Sequence, residues 1–264
     1  MQDQRFDLPA CTAALLAALL IQIGANLVND ADDFQRGADT AARRGPLRVT
    51  QSGLLSAGEV RGGAYLAFAL AALIGIYLIA IGGWAIILIG AASIVAAVAY
   101  TGGPWPLGYH GFGDLLVFLF FGLAAVVGTY YVQAGTISGA SVIAASAIGM
   151  LATAILVVNN ARDRETDVIA GKRTLAVRFG DGFARAEYAA LVLGAYVAPL
   201  WLWLGGVVGI TVLLPIASLG RALALVARVR DAGDGPSFNL ALRDTARLQL
   251  VFAVLFAAGI VFAS

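Results

Sequence analysis

Two short segments hold most of the side chains from which chemistry could be built. Residues 28–37 read VNDADDFQRG and residues 158–167 read VNNARDRETD, which align without a gap as Val-Asn-(Asp or Asn)-Ala-x-Asp. On a continued helix Asn29 and Asp33 are four apart and share a face, and so do Asn159, Asp163 and Asp167. Each segment therefore presents a ladder of hard oxygen donors. The chain has one cysteine, Cys11, and one histidine, His110, so no thiolate or imidazole cluster is available. Oxygen donors of this kind suit Mg²⁺, which is typically held by one or two carboxylates together with substrate phosphate. Carboxylates at this spacing repel one another, and a helix C-terminus disfavours negative charge, so something cationic must compensate. Lys172 and Arg173, in AGKRTLAVRFG, and Arg48, in RRGPLRVTQSG, are the cations a diphosphate requires. No GxxxxGK[ST] loop occurs, which argues against a nucleotide motor. Helix caps and solvated, ion-paired loops would account for either segment alone. Their repetition at equivalent positions argues for one shared site.

The elements that must position these ladders follow from composition. Hydrophobic residues make up 60% of 264 positions and charged residues 12%, and the mean hydropathy is +0.87. Soluble domains carry about 25% charge, so most of this chain must meet lipid. A net charge of +1 excludes a broadly basic nucleic-acid binder. Apolar stretches of spanning length fall at 8–28, 60–81, 83–100, 114–133, 137–159, 184–204, 206–228 and 246–263. The letters LPAC at residues 8–11 match a lipoprotein cleavage box, but the apolar stretch follows the cysteine, so this is a span rather than a signal peptide. The spacing predicts long polar loops at 29–59, 101–113, 160–183 and 229–245, alternating with tight Gly turns near 82, 135 and 205. All long loops then share one face, and every Lys and Arg except Arg5 falls there, which makes that face cytoplasmic. Trp84, Tyr130, Tyr131, Trp201 and Trp203 mark the opposite interface. Small-residue runs such as GAASIVAAVA let helix backbones approach closely. The two ladders lie where the first and fifth spans reach the cytoplasmic face. A diphosphate gripped there, beside an apolar interior, suggests a lipid diphosphate whose chain runs down between helices.

The stretches NLVNDADDFQRGAD, GPLRVTQSGLLS, YTGGPWPLGYHGFGDLLVFLFFGLAAVVGTYYVQ and NNARDRETDVIAGKRTLAVRFG together resemble the UbiA-type intramembrane prenyltransferases, and within them the naphthoate-prenylating branch. The motifs run from about residue 20 to 180 and the hydropathy pattern to the C-terminus. The resemblance implies an all-α bundle of about eight membrane helices around a central cavity, a single prenyltransferase domain over 1–264. It implies that Asn29, Asp33, Asp163 and Asp167 hold Mg²⁺ bridging a polyprenyl diphosphate, and that Lys172 and Arg173 stabilise the departing diphosphate. Asp33 and Asp163 are thus catalytic as well. Arg48, Tyr109 and His110 are expected to bind substrate, and Asp30 and Asp39 to serve as further ligands or acid groups; the wider family has its last box aspartate where this chain has Gly37. Tyr100, Phe118 and Phe121 are candidates to surround an allylic cation.

The implied reaction joins the polyprenyl chain to 1,4-dihydroxy-2-naphthoate at the carbon bearing its carboxylate, with loss of CO₂ and diphosphate, as in menaquinone biosynthesis. Another acceptor, such as 4-hydroxybenzoate or homogentisate, is the nearest alternative, and a cation-coupled transporter is the alternative from another class. The spans contain almost no ionisable side chain away from their cytoplasmic ends, which argues against the transporter. The family has nine spans and opens with an Arg-Pro helix that is not found here, so the native protein is expected to begin further upstream or to lack one cavity wall.

Overall fold

The computed structural model describes residues 6–38 and 45–263. Among them, eight helices are long and apolar enough to cross a membrane. They are α1 Leu8–Gln35, α2 Ala57–Gly82, α3 Trp84–Thr101, α4 Gly113–Ala134, α5 Gly139–Ile169, α6 Leu175–Leu204, α7 Ile210–Asp231 and α8 Gly235–Val261. Polar side chains start these helices where the sequence allows. Asp7 accepts from the Ala10 N–H, Ser56 and Glu59 form a reciprocal capping box on α2, Ser138 and Ser141 form another on α5, and Asp234 accepts from the Ser237 N–H.

The eight apolar stretches are all helical, but the long loops are shorter than expected. α1 continues to Gln35 and α5 to Ile169, so both ladders are helical rather than loop. The expected loop at 160–183 shrinks to the residues between Ile169 and Leu175, and that at 229–245 to the residues between Asp231 and Gly235. Hydropathy marks only the lipid-crossing part of a helix, and these helices run on beyond it with polar side chains. Arg185 on α6 shows how the polar ends are tied: it pairs with Asp181 and donates to the carbonyls of Val229, Arg230 and Ala232, where α7 stops.

Packing divides the bundle into two halves of four helices. The largest buried cluster is drawn from α5–α8, with Leu151, Val158, Tyr188, Leu202, Leu248 and Phe252 fully enclosed. Two smaller clusters belong to α1–α4, one around Ala10, Leu78, Ile86 and Val132 and the other around Val28, Ala64 and Phe68. Each half therefore opens with a ladder-bearing helix. The halves join along α4 and α5, where a Cβ on Gly122 would lie 2.5 Å from the Gly149 Cα. Only glycine permits that approach, and Gly122→Val is expected to destabilise the protein by about 1–3 kcal/mol, read as a lower unfolding temperature in detergent.

Alternation of the helices brings one set of ends together. At the end away from the ladders, the Asp7 N–H donates to the Gln133 side chain, which donates back to the Asp7 carbonyl, pinning the start of α1 to the end of α4. At the other end, the 102–112 connection lies against α1 and the residues that follow α5. It contains a short 3₁₀ turn, Leu107–His110, and Gly111 at φ +82°. A Cβ on Gly111 would also lie 2.9 Å from the Arg173 carbonyl oxygen, so backbone conformation and crowding both require glycine.

Candidate active site

Asp33 is the centre of the site. It sits in the last turns of α1, 3% exposed, and receives groups from three other parts of the chain. Tyr109 Oη donates to its Oδ1 at 2.8 Å, and Lys172 Nζ donates to its Oδ2 at 3.1 Å. Arg48 Nη2 lies 3.8 Å from the same Oδ2. Lys172 also lies 4.0 Å from Asp167 Oδ1, so one ammonium spans a carboxylate from each ladder. The two ladders, remote in sequence, therefore open onto one mouth.

Tyr109 is held as a donor. Burial, followed by the facing Asp33 carboxylate, pushes its phenol well above the usual range, so the proton stays on Oη. Two cations lie over its ring, Lys172 Nζ at 4.9 Å and the Arg36 guanidinium at 5.5 Å from the ring centroid. Tyr109→Phe keeps the ring but leaves Asp33 Oδ1 without its donor. A loss of about 1–3 kcal/mol of stability is expected, measurable by thermal unfolding. The turn is fastened from below: the Arg173 N–H donates to the Tyr109 carbonyl at 2.8 Å, and Arg178 donates to the carbonyls of Arg173 and His110.

The remaining expected residues are placed as follows. Asn29 Oδ1 accepts from the Thr101 hydroxyl at 2.8 Å, which ties α1 to the end of α3. Asp163 is clasped by the neighbouring Arg162 at 2.8 and 2.6 Å. Arg162 is itself buried and also donates to Asn159 and to Asn239 on α8. The Arg173 side chain is exposed, while its backbone serves the Tyr109 turn. His110 Nδ1 lies 2.9 Å from the Pro106 carbonyl and its ring stacks against Trp105 at 4.3 Å, an arrangement that shapes the loop. Asp30 is bound to the Val49 N–H and the Thr50 hydroxyl, holding the chain before α2. Asp39 lies outside the described residues.

Of the three aromatic candidates, Tyr100 lies at the site: it packs against Gly108 and Gly113, the residues beside Tyr109 and Asp114. Phe118 packs against Gly149 at the α4–α5 contact, and Phe121 is 43% exposed. Sequence reasoning missed Arg36, which donates to the carbonyls of Thr101 and Gly103 besides covering Tyr109. It left Asp114 without a role. This residue follows the Tyr109 turn, is 7% exposed, and has neither carboxylate oxygen hydrogen-bonded among the described residues. A charged residue at the very start of an apolar span was the available signal.

The family model for the UbiA prenyltransferase family matches residues 1–248. The chain belongs to the UbiA prenyltransferase family. Among curated relatives, it is 39% identical over 215 residues to the 1,4-dihydroxy-2-naphthoate octaprenyltransferase of Escherichia coli (strain K12), covering 75% of this chain and 70% of that protein. The enzyme of the same name from Mycobacterium tuberculosis (strain ATCC 25618 / H37Rv) is 40% identical over 252 residues, 94% of this chain and 84% of that protein. A solved UbiA homolog from Archaeoglobus fulgidus, bound to DMAPP and Mg²⁺, superposes with a TM-score of 0.65 at 18% identity, over 98% of this chain and 90% of that one. That likeness gives the UbiA fold. The paired carboxylates at the mouth are features of this chain's own geometry.

Proposed function

We propose that this UbiA-family protein is a prenyltransferase of menaquinone biosynthesis, moving a polyprenyl chain from its diphosphate to 1,4-dihydroxy-2-naphthoate with release of CO₂ and diphosphate. The observation that carries the reading is the convergence of Asp33 and Asp167 on the one ammonium of Lys172. The naphthoate octaprenyltransferases at 39% and 40% identity support the acceptor. Arg48 and the cytoplasmic-end arginines support a site facing the cytoplasm, in a single domain of eight spans.

The residues fit Mg²⁺. Asp33 and Asp167 are hard oxygen donors set close enough to share a cation. Among the described residues no group of three or more His, Cys, Asp or Glu could hold a metal alone. This donor set suits an ion that arrives with a diphosphate and completes its shell with phosphate oxygens and water. Asp33 and Asp167 would hold it, with Asn29 next to Asp33 and with Asp163 once released from Arg162. Bound Mg²⁺ supplies positive charge that stabilises the departing diphosphate.

The chain's own groups supply the rest. Lys172 and Arg48 neutralise diphosphate charge at the mouth, and Arg173 is free to swing its exposed guanidinium onto it. Tyr109 and Arg36 hold Lys172 and Asp33 in register. The bridging C–O bond breaks with its electron pair going to the diphosphate. The allylic carbon then meets the naphthoate ring beside Tyr100, whose electron-rich face suits a cation. Carbon–carbon bond formation at the carboxylate-bearing carbon is followed by loss of CO₂. The apolar helices keep water from the cation.

The test supplies membranes containing the protein with Mg²⁺, a polyprenyl diphosphate and 1,4-dihydroxy-2-naphthoate, and reads prenylated, decarboxylated product by mass spectrometry. Product from dihydroxynaphthoate and none from 4-hydroxybenzoate or homogentisate is expected. The reverse pattern would transfer the activity to the other acceptor, and no product from any acceptor would end the proposal.

A further inference from the structure

We propose that Asp114 is the acceptor-binding base of this site: its carboxylate accepts a hydrogen bond from a ring hydroxyl of the aromatic acceptor and takes that proton as the new C–C bond forms. The inference rests on the prenyltransferase reading above and adds to it a residue and the ligand group that residue takes.

Burial of a carboxylate with both oxygens unpartnered is costly, and such a group calls for an explanation. Five carboxylates of the two ladder segments have partners. Asp30 has Val49 and Thr50, Asp32 has Arg61, Asp33 has Tyr109 and Lys172, Asp163 has Arg162, and Asp167 has Lys172. Asp114 has none among the described residues. It is nonetheless in the same mouth: Tyr100 packs between Gly108, beside Tyr109, and Gly113, beside Asp114, where added Cβ atoms would each lie 2.9 Å from its side chain. The place of Asp114 in the first turn of α4 is one that favours negative charge. The backbone there is fixed: the Thr153 hydroxyl on α5 lies 3.5 Å from the Asp114 carbonyl, and a Cβ on Gly113 would lie 2.9 Å from the Tyr100 hydroxyl.

The surroundings select the ligand. A diphosphate or the acceptor's carboxylate would be repelled by a carboxylate with no cation beside it. A neutral O–H donor is attracted, and charge-assisted bonds of this kind are strong. Dihydroxynaphthoate carries both groups, so Asp114 orients it with the 1-hydroxyl inward and the adjacent carboxylate on the side away from Asp114.

The proton balance closes on one residue. As C2, the carbon bearing the carboxylate, attacks the allylic carbon, the C–O bond to diphosphate breaks and the proton of the adjacent 1-hydroxyl passes to Asp114, leaving a ketone at C1. When CO₂ departs, the pair from the C–COO⁻ bond returns to the ring, and the oxygen recovers its proton from Asp114. No other reactant is required.

The test compares wild type with Asp114→Asn and Asp114→Glu in the full-length protein. Binding of 1,4-dihydroxy-2-naphthoate and of 2-naphthoate, which lacks the hydroxyls, is measured by tryptophan fluorescence, anaerobically and without diphosphate or Mg²⁺. Wild type should prefer the dihydroxy compound by about tenfold or more, and Asp114→Asn should lose that preference. In turnover, Asp114→Asn should lower kcat by about 10²-fold with the KM for polyprenyl diphosphate within about twofold of wild type. Asp114→Glu, which keeps the acceptor atoms, should retain part of the preference. A preference that survives in Asp114→Asn, or a raised requirement for diphosphate or Mg²⁺ in its place, overturns the assignment. Should neither variant fold, equal binding of the two naphthoates by wild type overturns it, and a tenfold preference supports it. If wild type prenylates only 4-hydroxybenzoate, the acceptor reading fails separately, and the pair 4-hydroxybenzoate and benzoate tests Asp114 in the same way.

Discussion

Asp33→Asn is expected to lower product formation by at least about 10²–10³-fold while the protein still folds. Three cationic or donor groups, Tyr109, Lys172 and Arg48, converge on this one carboxylate. The amide is nearly isosteric and still accepts the Tyr109 hydrogen bond through its oxygen, so the Tyr109 turn persists. What disappears is the charge. Lys172 then loses its main partner and is left with Asp167 at 4.0 Å. Half of the oxygen charge available to a divalent cation is gone as well. The effect should therefore appear as lost turnover and as a raised Mg²⁺ requirement, both measured by the mass-spectrometric assay across a Mg²⁺ titration. An intact unfolding transition would confirm that the loss is chemical. Turnover within about threefold of wild type at ordinary Mg²⁺ would remove Asp33 from the site.

Much of this site was legible because two features of the sequence are local. The spacing of Asn29 and Asp33, and of Asn159, Asp163 and Asp167, fixes shared helix faces before any fold is known. Lengths of apolar run and the placement of Lys and Arg fix eight crossings and their alternation, and the helices lie where the runs predicted. Long-range contact was not legible. Nothing in AGKRTLAVRFG says that Lys172, rather than Arg173, reaches Asp33, since the choice depends on a backbone bond from Arg173 to Tyr109 that turns the two side chains apart. The clasp of Arg162 on Asp163 was hidden for a similar reason, because Asn239, which helps hold Arg162, comes from the last helix. Helix ends were misjudged where polar side chains follow an apolar run. Hydropathy falls there although the backbone hydrogen bonds continue, as in the extension of α5 to Ile169. The division into two halves is the deeper regularity: the ladder recurs at the first and fifth spans, the helices that open the two four-helix halves.

Lys172→Gln separates catalysis from scaffolding, because its two consequences run in opposite directions. Lys172 Nζ stands between Asp33 and Asp167, at 3.1 and 4.0 Å. A cation there helps a trianionic substrate to bind and its leaving diphosphate to depart, so removing it should lower kcat by about 10²–10³-fold. The same ammonium competes electrostatically with any divalent ion for the two carboxylates. Removing it leaves their negative charge less compensated, with only Arg48 still near Asp33, so the Mg²⁺ concentration giving half-maximal rate should fall. A purely structural role makes a different forecast: the site loosens, the Mg²⁺ requirement rises, and the unfolding temperature drops with it. The discriminating measurement is therefore a Mg²⁺ titration of initial rate for wild type and Lys172→Gln, paired with thermal unfolding of both. Lower kcat with a lower Mg²⁺ requirement identifies Lys172 as a group that touches the diphosphate. A higher Mg²⁺ requirement with reduced stability would mean that Lys172 only holds Asp33 against Tyr109, and leaving-group stabilisation would then fall to Arg48 and Arg173.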